Sequence, residues 1–510
     1  MRDKFVSVLI VLVLGCSGND RAPRAAAEEE TELSSDIGEV TGAAAQDRSG
    51  GAADAAGGND WCSFLGPWGD NTSTETGILT DWPAAGPPIV WHRPLGVSYG
   101  ICTISDGRLF QFDRYGDQSR LSCLDSLTGE RLWKFEYETS YRDMYGYNNG
   151  PRTSPVVDGD RVFILGAEGM LHCLTADKGG VVWKVDTAER FGVVQNFFGV
   201  GSNPVVEGDL LIANIGGSPA ESHQIPPGRL DLVQGNGSGI VAFDKRTGDV
   251  RYQITDELAS YAAPKLATIN GRRWCFMFAR GGLVGFDPSD GSVDFHYPWR
   301  AKKVESVNAS TPVVVGNQVF ISETYGPGST LLEVAPGAHT VVWQDQLQAR
   351  DKAMQTHWNT PIHRDGYLYG SSGRHSNNAE LRCIEWNTGK VMWSVPGQTR
   401  SSLLYADGHF LSLAENGVLR LIRANPEKYD EIAQAVIRGN VADGGEADGG
   451  EADGGEADGG EADGGEADGG EVVPLISEPA WAAPILCNGM LYLRGNDRLV
   501  CLELIPQPGG

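Results

Sequence analysis

A set of arginine, histidine and asparagine side chains stands beside short β-type segments of this 510-residue chain. Guanidinium and imidazole groups donate hydrogen bonds to oxyanions and hydroxyls, so the set predicts a site for an anionic or polyhydroxylated ligand. The candidates are Arg152, Asn203, Asn308, His357, Asn359, Arg374, His375 and Arg400. The alternative is that these groups hydrogen-bond one another and ordered water.

Common catalytic and metal-binding patterns are missing from the sequence. It has no Gly-x-Ser-x-Gly elbow, no phosphate-binding loop and no His-Glu-x-x-His helix pattern. Gly235, Gly237 and Gly239 lack the spacing and context of a nucleotide site and indicate a flexible loop. We therefore expect no catalytic residues and no metal site.

The nine cysteines do not have zinc-type spacing. Four of them share one repeat position, where neighbouring units have Ala242 or Gly285, and this predicts a small buried slot. These four are Cys123, Cys173, Cys383 and Cys501. Cys62 lies outside the repeats, and whether it pairs stays open.

The charge balance argues against nucleic acid as a partner. Lys and Arg number 41 and Asp and Glu 67, which gives a formal charge of −26, whereas nucleic acid is attracted by cationic surface. Residues 441–471 carry repeated EADGG units without a hydrophobic face. They predict a disordered acidic insert, either a solvated spacer or a weak binder of divalent cations.

The N-terminus reads as an export signal. Residues 1–16 have a short basic start and an apolar run of ten residues, too short to span a membrane. Val13-Leu14-Gly15-Cys16-Ser17 resembles a bacterial lipobox, which predicts lipidation of Cys16 and favours the outer membrane. The alternative is an ordinary signal peptide. Residues 17–60 are polar and predict a disordered tether with a reach of roughly 35–40 Å.

Glycine turns recur along the rest of the chain and reveal internal repeats. Dipeptides ending in glycine separate pairs of β-type segments, and Asp-Gly and Asn-Gly favour hairpins in which both central residues take positive φ. The turns are Asp106-Gly107, Asp158-Gly159, Glu207-Gly208, Asn270-Gly271, Val315-Gly316, Asp365-Gly366, Asp407-Gly408 and Asn488-Gly489. Their regular spacing predicts eight units.

A second motif follows about twenty residues after several of these turns. An Asp-x-x-Thr-Gly turn leads into a strand that delivers an aromatic residue, as in Asp125, Gly129 and Trp133. Units of 40–50 residues with four short strands predict an all-β, eight-bladed β-propeller. Because Ile89–Arg93 has an aromatic strand without a preceding turn, we expect it to complete the last blade.

We assign residues 61–86 to an N-terminal segment and residues 87–505 to the propeller. Two insertions interrupt the repeats: a Pro/Gly-rich loop at residues 218–238, and a segment that begins at Asn425-Pro426. In the second, helical spacing relates Tyr429, Ile432, Ala433 and Val436, so we expect a turn or two of helix there.

The Asp-x-x-Thr-Gly-x-x-x-Trp units resemble the pyrroloquinoline-quinone (PQQ)-like repeat of quinoprotein dehydrogenases and of the BamB outer-membrane assembly lipoproteins, over residues 87–505. WCSFLGPWGDNTSTETGI, ESVNASTPVV, HWNTP, YGSSGRH and RANPEKY are similar to segments of PQQ-like propeller proteins abundant in planctomycetes. The dehydrogenases use PQQ with a calcium ion held by Glu and Asn, an Asp base, a Trp below the quinone and often a Cys-Cys disulfide. This chain has no Cys-Cys pair, and no position matches the calcium and base set.

These observations favour a non-catalytic, membrane-tethered propeller of the cell envelope or periplasm that acts as a binding or assembly scaffold. Its expected partner is an envelope protein or a polar, anionic small ligand. The rival functions are a periplasmic PQQ-dependent type of oxidoreductase, acting on alcohols or sugars, and a carbohydrate-binding propeller.

Overall fold

The computed structural model describes residues 60–440 and 472–506. Three predicted segments lie outside the described residues: the signal at residues 1–16 with Cys16, nearly all of the tether at 17–60, and the acidic insert at 441–471. Those that are described form eight four-stranded antiparallel sheets and one two-stranded ribbon. The predicted eight-bladed propeller is confirmed.

The first strand of the chain is β1 (Ile89–Pro94). Blade 1 contains β2 (Thr103–Ser105), β3 (Arg108–Tyr115), β4 (Gln118–Asp125) and β5 (Arg131–Glu138). Blade 2 contains β6 (Val156–Asp158), β7 (Arg161–Leu165), β8 (Met170–Thr175) and β9 (Val181–Asp186), followed by the helix α1 (Thr187–Phe191). Blade 3 contains β10 (Val205–Glu207), β11 (Leu210–Asn214), β12 (Ile240–Asp244) and β13 (Val250–Ile254). Blade 4 contains β14 (Lys265–Ile269), β15 (Arg272–Phe278), β16 (Gly282–Phe286) and β17 (Val293–Pro298).

Blade 5 contains β18 (Val313–Val315), β19 (Gln318–Glu323), β20 (Gly328–Ala335) and β21 (Ala338–Gln344). Blade 6 contains β22 (Ile362–Arg364), β23 (Tyr367–Ser372), β24 (Glu380–Glu385) and β25 (Val391–Pro396). Blade 7 contains β26 (Ser401–Ala406), β27 (His409–Ala414), β28 (Val418–Arg423) and β29 (Glu431–Val436). The ribbon is β30 (Arg438–Asn440) with β31 (Val472–Pro474), and β32 (Ile485–Cys487), β33 (Met490–Arg494) and β34 (Arg498–Glu503) belong to blade 8. Two 3₁₀ turns lie at Ala220–Gln224 and Ser376–Asn378.

Blade 8 closes the ring with strands from both ends of the propeller. Its strand order is β32, β33, β34 and β1, with Trp91 opposite Cys501 and Arg93 opposite Leu499. The sequence prediction for Ile89–Arg93 is confirmed. Blade 8 therefore depends on hydrogen bonds between segments that are about 400 residues apart in the chain.

The glycine turns fall into two classes. Five have two central residues with positive φ: Asp106-Gly107, Asn270-Gly271, Asp365-Gly366, Asp407-Gly408 and Asn488-Gly489, as a type I′ turn requires. In the other three, Gly159, Gly208 and Gly316 are the first of the two loop residues, and the residue before each glycine ends a strand. A leading glycine is typical of a type II′ turn, so the predicted central pair is displaced by one residue there.

The repeated aromatic residues pack between blades. A Cβ atom on Gly179 of blade 2 would lie 2.6 Å from the ring of Trp133 of blade 1. Gly129 has the same relation to Trp91 of blade 8, at 2.7 Å, and the Trp91 indole donates a hydrogen bond to the Ser126 carbonyl at 3.0 Å. The glycine of each such turn thus makes room for the aromatic side chain of the preceding blade.

We expect Gly179→Ala to destabilise the protein by about 2–5 kcal/mol, because positive φ costs roughly 1–2 kcal/mol for alanine and overpacking adds roughly 1–3 kcal/mol. Gly107→Ala is the matched control: its φ of 71° is close to the 69° of Gly179, but nothing lies within 4 Å of the added Cβ atom. Urea unfolding of both variants measures the difference. Equal losses would show that the Trp133 contact contributes nothing.

The cysteine slot is confirmed as a packing position. Cys123, Cys173, Cys383 and Cys501 are fully buried and lie opposite Trp133, Trp183, Trp393 and Trp91 in the register. All eight cysteines in the described part of the chain are free thiols, including Cys62. Burial, aided by Asp60, raises the pKa of Cys62 to about 12, so this thiol stays protonated at neutral pH.

The expected helix after Asn425-Pro426 is wrong. Residues 431–436 form β29, the outer strand of blade 7, in which Ala433 lies opposite Leu421. Burying β28 requires a paired neighbour for its backbone, and this need overrides the helical spacing of the apolar residues. The predicted loop at residues 218–238 is a long connection between β11 and β12 and contains one 3₁₀ turn.

Candidate functional site

A cavity of about 720 Å³ lies at the centre of the ring. Most of its polar residues directly precede the first strand of a blade, as Arg152, Asn203, Asn359 and Arg400 do. Because the first strands surround the propeller axis, side chains at their start converge from several blades on one space. The size is within the range of small-ligand sites in proteins.

The N-terminal segment forms the floor of this cavity. The Cys62 carbonyl accepts from Val157 N in blade 2 at 2.8 Å, and Asn71 and Ser73 exchange backbone hydrogen bonds with Tyr405 in blade 7. Between these points, Phe64 and Leu65 line the cavity. The segment therefore crosses the channel at the end where the first strands finish, and the cavity opens at the opposite end.

Lys265 of blade 4 holds the middle of this segment. It is buried, and its ammonium group donates hydrogen bonds to the carbonyls of Trp68 at 2.5 Å and Gly69 at 3.0 Å. Burial lowers the pKa of Lys265. This contact has no local signal in the sequence, because almost 200 residues separate the lysine from its acceptors.

Two of the predicted arginines form buried ion pairs. Arg152 lies 2.6 Å from Asp143, and the two side chains are 6% and 0% exposed. Arg400 lies 2.5 Å from Glu415, whose side chain is 1% exposed. Burial favours a raised pKa for Glu415, but hydrogen bonds from Arg400, Ser376 and Trp481 outweigh it and hold that pKa below its usual value.

Arg374 differs from these two arginines. Its guanidinium lies 4.3 Å from the centre of the Tyr325 ring, and it forms no ion pair with a carboxylate among the described residues. His375 beside it is exposed. Arg374 is thus the cavity arginine whose charge the described protein leaves uncompensated.

The side chains of the three predicted asparagines form hydrogen bonds with backbone groups. Asn203 accepts a hydrogen bond from Ser154 N at 2.6 Å, and Asn359 donates to the Ser371 carbonyl at 2.8 Å. Asn308 donates to the Ala279 carbonyl at 2.8 Å and is 1% exposed. Asn203 and Asn359 still border the cavity, whereas Asn308 does not line it.

His357 lies in the cavity wall, 3.1 Å from the Tyr325 hydroxyl through Nε2. Burial, together with the charges of Arg400 and Arg374, lowers the pKa of His357 to about 3. The imidazole is therefore neutral at physiological pH. With a pKa this low, His357 does not supply a cation for an anionic ligand.

We expect the lowered pKa of His357 to make stability depend on pH. The pKa of His357 is lower in the folded protein than its ordinary value of 6.5. As pH falls below 6.5, the unfolded chain binds a proton at this histidine while the folded protein does not, so the free energy of unfolding decreases. Between pH 6.5 and 4, the free energy of unfolding should fall more steeply for the unmodified protein than for His357→Gln. Identical slopes would contradict this prediction.

Aromatic side chains form much of the remaining wall, and they are not among the site residues predicted from the sequence. Trp358 and Trp481 have ring centres 4.6 Å apart, and Tyr99 lies 4.7 Å from Trp481. The Arg400 guanidinium covers Trp358 at 4.4 Å. Trp358 lies between His357 and Asn359, directly before the first strand of blade 6, and this position in the sequence could have predicted it as a cavity residue.

The residues of the cavity do not fit PQQ with calcium. A calcium ion takes six to eight oxygen ligands, with carboxylates prominent among them. Glu305 is the one carboxylate among the lining residues, while Asp143 and Glu415 are held by arginines. Within residues 60–440 and 472–506, no group of three His, Cys, Asp or Glu side chains is placed to hold a metal ion.

The structure has no helix in its described ranges with the length and apolar character needed to cross a membrane.

The chain is similar in sequence to a known protein family and to one of its members. The family described as outer membrane protein assembly factor BamB (PQQ_2) matches residues 117–395. The outer membrane protein assembly factor BamB of Moranella endobia is 20% identical over 306 residues, which are 57% of this chain and 68% of the relative.

Two solved structures are also similar. BamB from Moraxella catarrhalis is 12% identical, with a TM-score of 0.49 over 83% of this chain and 99% of that one. Quinohemoprotein alcohol dehydrogenase from Comamonas testosteroni is 13% identical, with a TM-score of 0.48 over 90% of this chain and 83% of that one. Because the family match covers more than half of the sequence, the chain belongs to the PQQ-like propeller family of outer membrane protein assembly factor BamB.

Proposed function

We propose that this chain is a non-catalytic scaffold of the bacterial cell envelope that binds an envelope protein. In this proposal residues 1–16 direct export, lipidated Cys16 anchors the chain in the outer membrane, and residues 17–60 tether the propeller to that anchor. Residues 61–86 lead into the propeller of residues 87–505, and the acidic insert at 441–471 is a solvated spacer. This is the organisation expected of a planctomycete-type lipoprotein.

The observation that carries the proposal is the lack of available carboxylates: Glu305 is the one carboxylate among the lining residues, and the buried acids beside the cavity are paired with arginines. Asp143 and Glu415 are paired with Arg152 and Arg400, so neither is free to bind calcium or to take a proton from a substrate. The family match to an outer-membrane assembly factor supports a role in assembly. A dehydrogenase would require a different set of side chains around the axis.

Reconstitution tests the catalytic rival directly. The purified full chain is incubated with PQQ and calcium and assayed for reduction of an artificial acceptor with alcohols or sugars. We expect no turnover. Stoichiometric quinone binding with turnover would refute the scaffold proposal and favour the periplasmic oxidoreductase.

Co-purification from envelope membranes tests the scaffold itself. Three forms are compared: the full chain, Cys16→Ala, and a chain without residues 441–471. We expect an outer-membrane assembly protein to co-purify in stoichiometric amount with the first and third forms, and Cys16→Ala to leave the membrane fraction. A full chain that purifies alone from detergent-solubilised membranes would contradict the proposal.

A further inference from the structure

The cavity has features that the scaffold proposal does not use. It is closed at the floor by Phe64 and Leu65 and lined by aromatic rings from several blades. We infer that it binds an acidic oligosaccharide, with a uronate carboxylate on Arg374 and sugar rings against the aromatic walls. This inference does not depend on the envelope partner.

The positive charge of Arg374 favours a ligand that carries a carboxylate. Arg152 and Arg400 are neutralised by buried carboxylates, whereas Arg374 contacts the ring and the side-chain oxygen of Tyr325 and has no carboxylate partner among the described residues. A planar guanidinium binds a carboxylate through two parallel hydrogen bonds. Arg374 is therefore the position at which a ligand carboxylate replaces water most favourably.

The inclination of the aromatic rings in the cavity wall favours a puckered sugar ring over a planar cofactor. Neighbouring aromatic faces are inclined to each other, by 40° for Trp358 and Trp481, 43° for Tyr99 and Trp481, and 53° for His357 and Trp358. These rings are therefore not parallel to one another. The C–H faces of puckered sugar rings can stack on aromatic faces at several inclinations, while a planar cofactor is best held between parallel faces.

The mouth of the cavity extends this surface into solvent. Tyr145 and Tyr147 line the cavity and are 47% and 68% exposed, with ring centres 6.1 Å apart. Tyrosine offers an apolar ring and a hydroxyl that can hydrogen-bond, so the pair can pack against a polar ligand that leaves the cavity. Their position indicates a ligand longer than one sugar, with part inside the cavity and part against the two tyrosines.

Calorimetric titration of the full chain tests the inference with three probes: tetragalacturonate, a neutral tetrasaccharide of the same length, and PQQ. We expect the acidic tetrasaccharide to bind at least tenfold more tightly than the neutral one, at one per chain. It should also raise the melting temperature, because a ligand specific for the native state stabilises it. No saccharide binding, equal binding of the two saccharides, or displacement of tetragalacturonate by stoichiometric PQQ would overturn the inference.

Variants separate the two parts of the site. Arg374→Gln should weaken the acidic ligand at least tenfold and leave the neutral one unchanged, and Arg374→Lys should restore part of the loss. Tyr147→Ala should weaken both ligands. Arg423→Gln, whose side chain is 56% exposed at the far end of blade 7, is the matched control. If Arg374→Gln folds normally and binds tetragalacturonate unchanged, the assignment of Arg374 is wrong.

Discussion

Replacing Arg400 with methionine should destabilise the protein by about 3–5 kcal/mol at pH 7.5, the usual cost of leaving one charge of a buried pair without its partner. The Glu415 side chain is 1% exposed and accepts three hydrogen bonds from the Arg400 side chain, from Nε at 2.9 and 3.1 Å and from Nη2 at 2.5 Å. Methionine keeps much of the packing over Trp358 and the backbone N–H that donates to Glu415 at 3.2 Å, but it supplies no side-chain donor. Urea unfolding monitored by circular dichroism measures the loss.

The loss should depend on pH in a defined direction. With Arg400 present, the pKa of Glu415 is held below its ordinary value of 4.5, so this group contributes stability above pH 4.5 that disappears as pH falls through the lowered pKa. Without Arg400, burial is expected to raise that pKa, and protonation then relieves the buried charge. The deficit of Arg400→Met should therefore shrink between pH 7.5 and pH 4.

Two further variants make the result specific to the pair. The double variant Arg400→Met/Glu415→Gln should recover most of the loss, because the uncompensated charge is removed. Arg423→Met breaks the exposed pair with Asp430 and should cost no more than about 1 kcal/mol. A double variant as unstable as Arg400→Met would show that packing over Trp358, and not the buried charge, determines the effect.

The fold could be predicted from the sequence because its signals are local and repeated. A glycine that needs positive φ, and an aromatic residue that fits against the next glycine turn, recur in most units, and each depends on a few neighbouring residues. In blade 7 the prediction of a helix was wrong, and the reason can be identified. Its outer strand has Ala433 where other blades have an aromatic residue, so the repeat signal is lost, and the apolar spacing that remains favours a helix.

The candidate site could be predicted only in part. The start of each first strand is marked in the sequence, and Arg152, His357 and Arg400 do line one cavity with most of the other candidates. The roles of these residues could not be predicted, since they depend on long-range contacts. Asp143 and Glu415 neutralise two of the arginines, and the floor of the cavity comes from Phe64 and Leu65, which belong to none of the repeats.

Trp91→Ala should cost about 3–5 kcal/mol, the usual range for removing a large aromatic side chain from a packed site. Trp91 belongs to β1, packs against Tyr492 with ring centres 6.0 Å apart and lies over Gly129 of blade 1. The change removes packing from two contacts at once, within blade 8 and between blades 8 and 1. Thermal and urea unfolding measure it, and Leu132→Ala, at a residue 52% exposed on β5, is the control that should stay within about 0.5 kcal/mol.

Hydrogen exchange gives the same variant a sharper test, because β1 and β34 share one set of backbone hydrogen bonds. Local opening exposes the amides of a cooperative unit together. If the ring is held closed by this pairing, Trp91→Ala should lower protection in Ile89–Pro94 and in Arg498–Glu503 by the same factor, with smaller changes in blades 3 to 5 on the far side of the ring. Loss of protection in Ile89–Pro94 alone would mean that β34 is stable without β1, and that the N-terminal strand only covers a blade already complete in three strands.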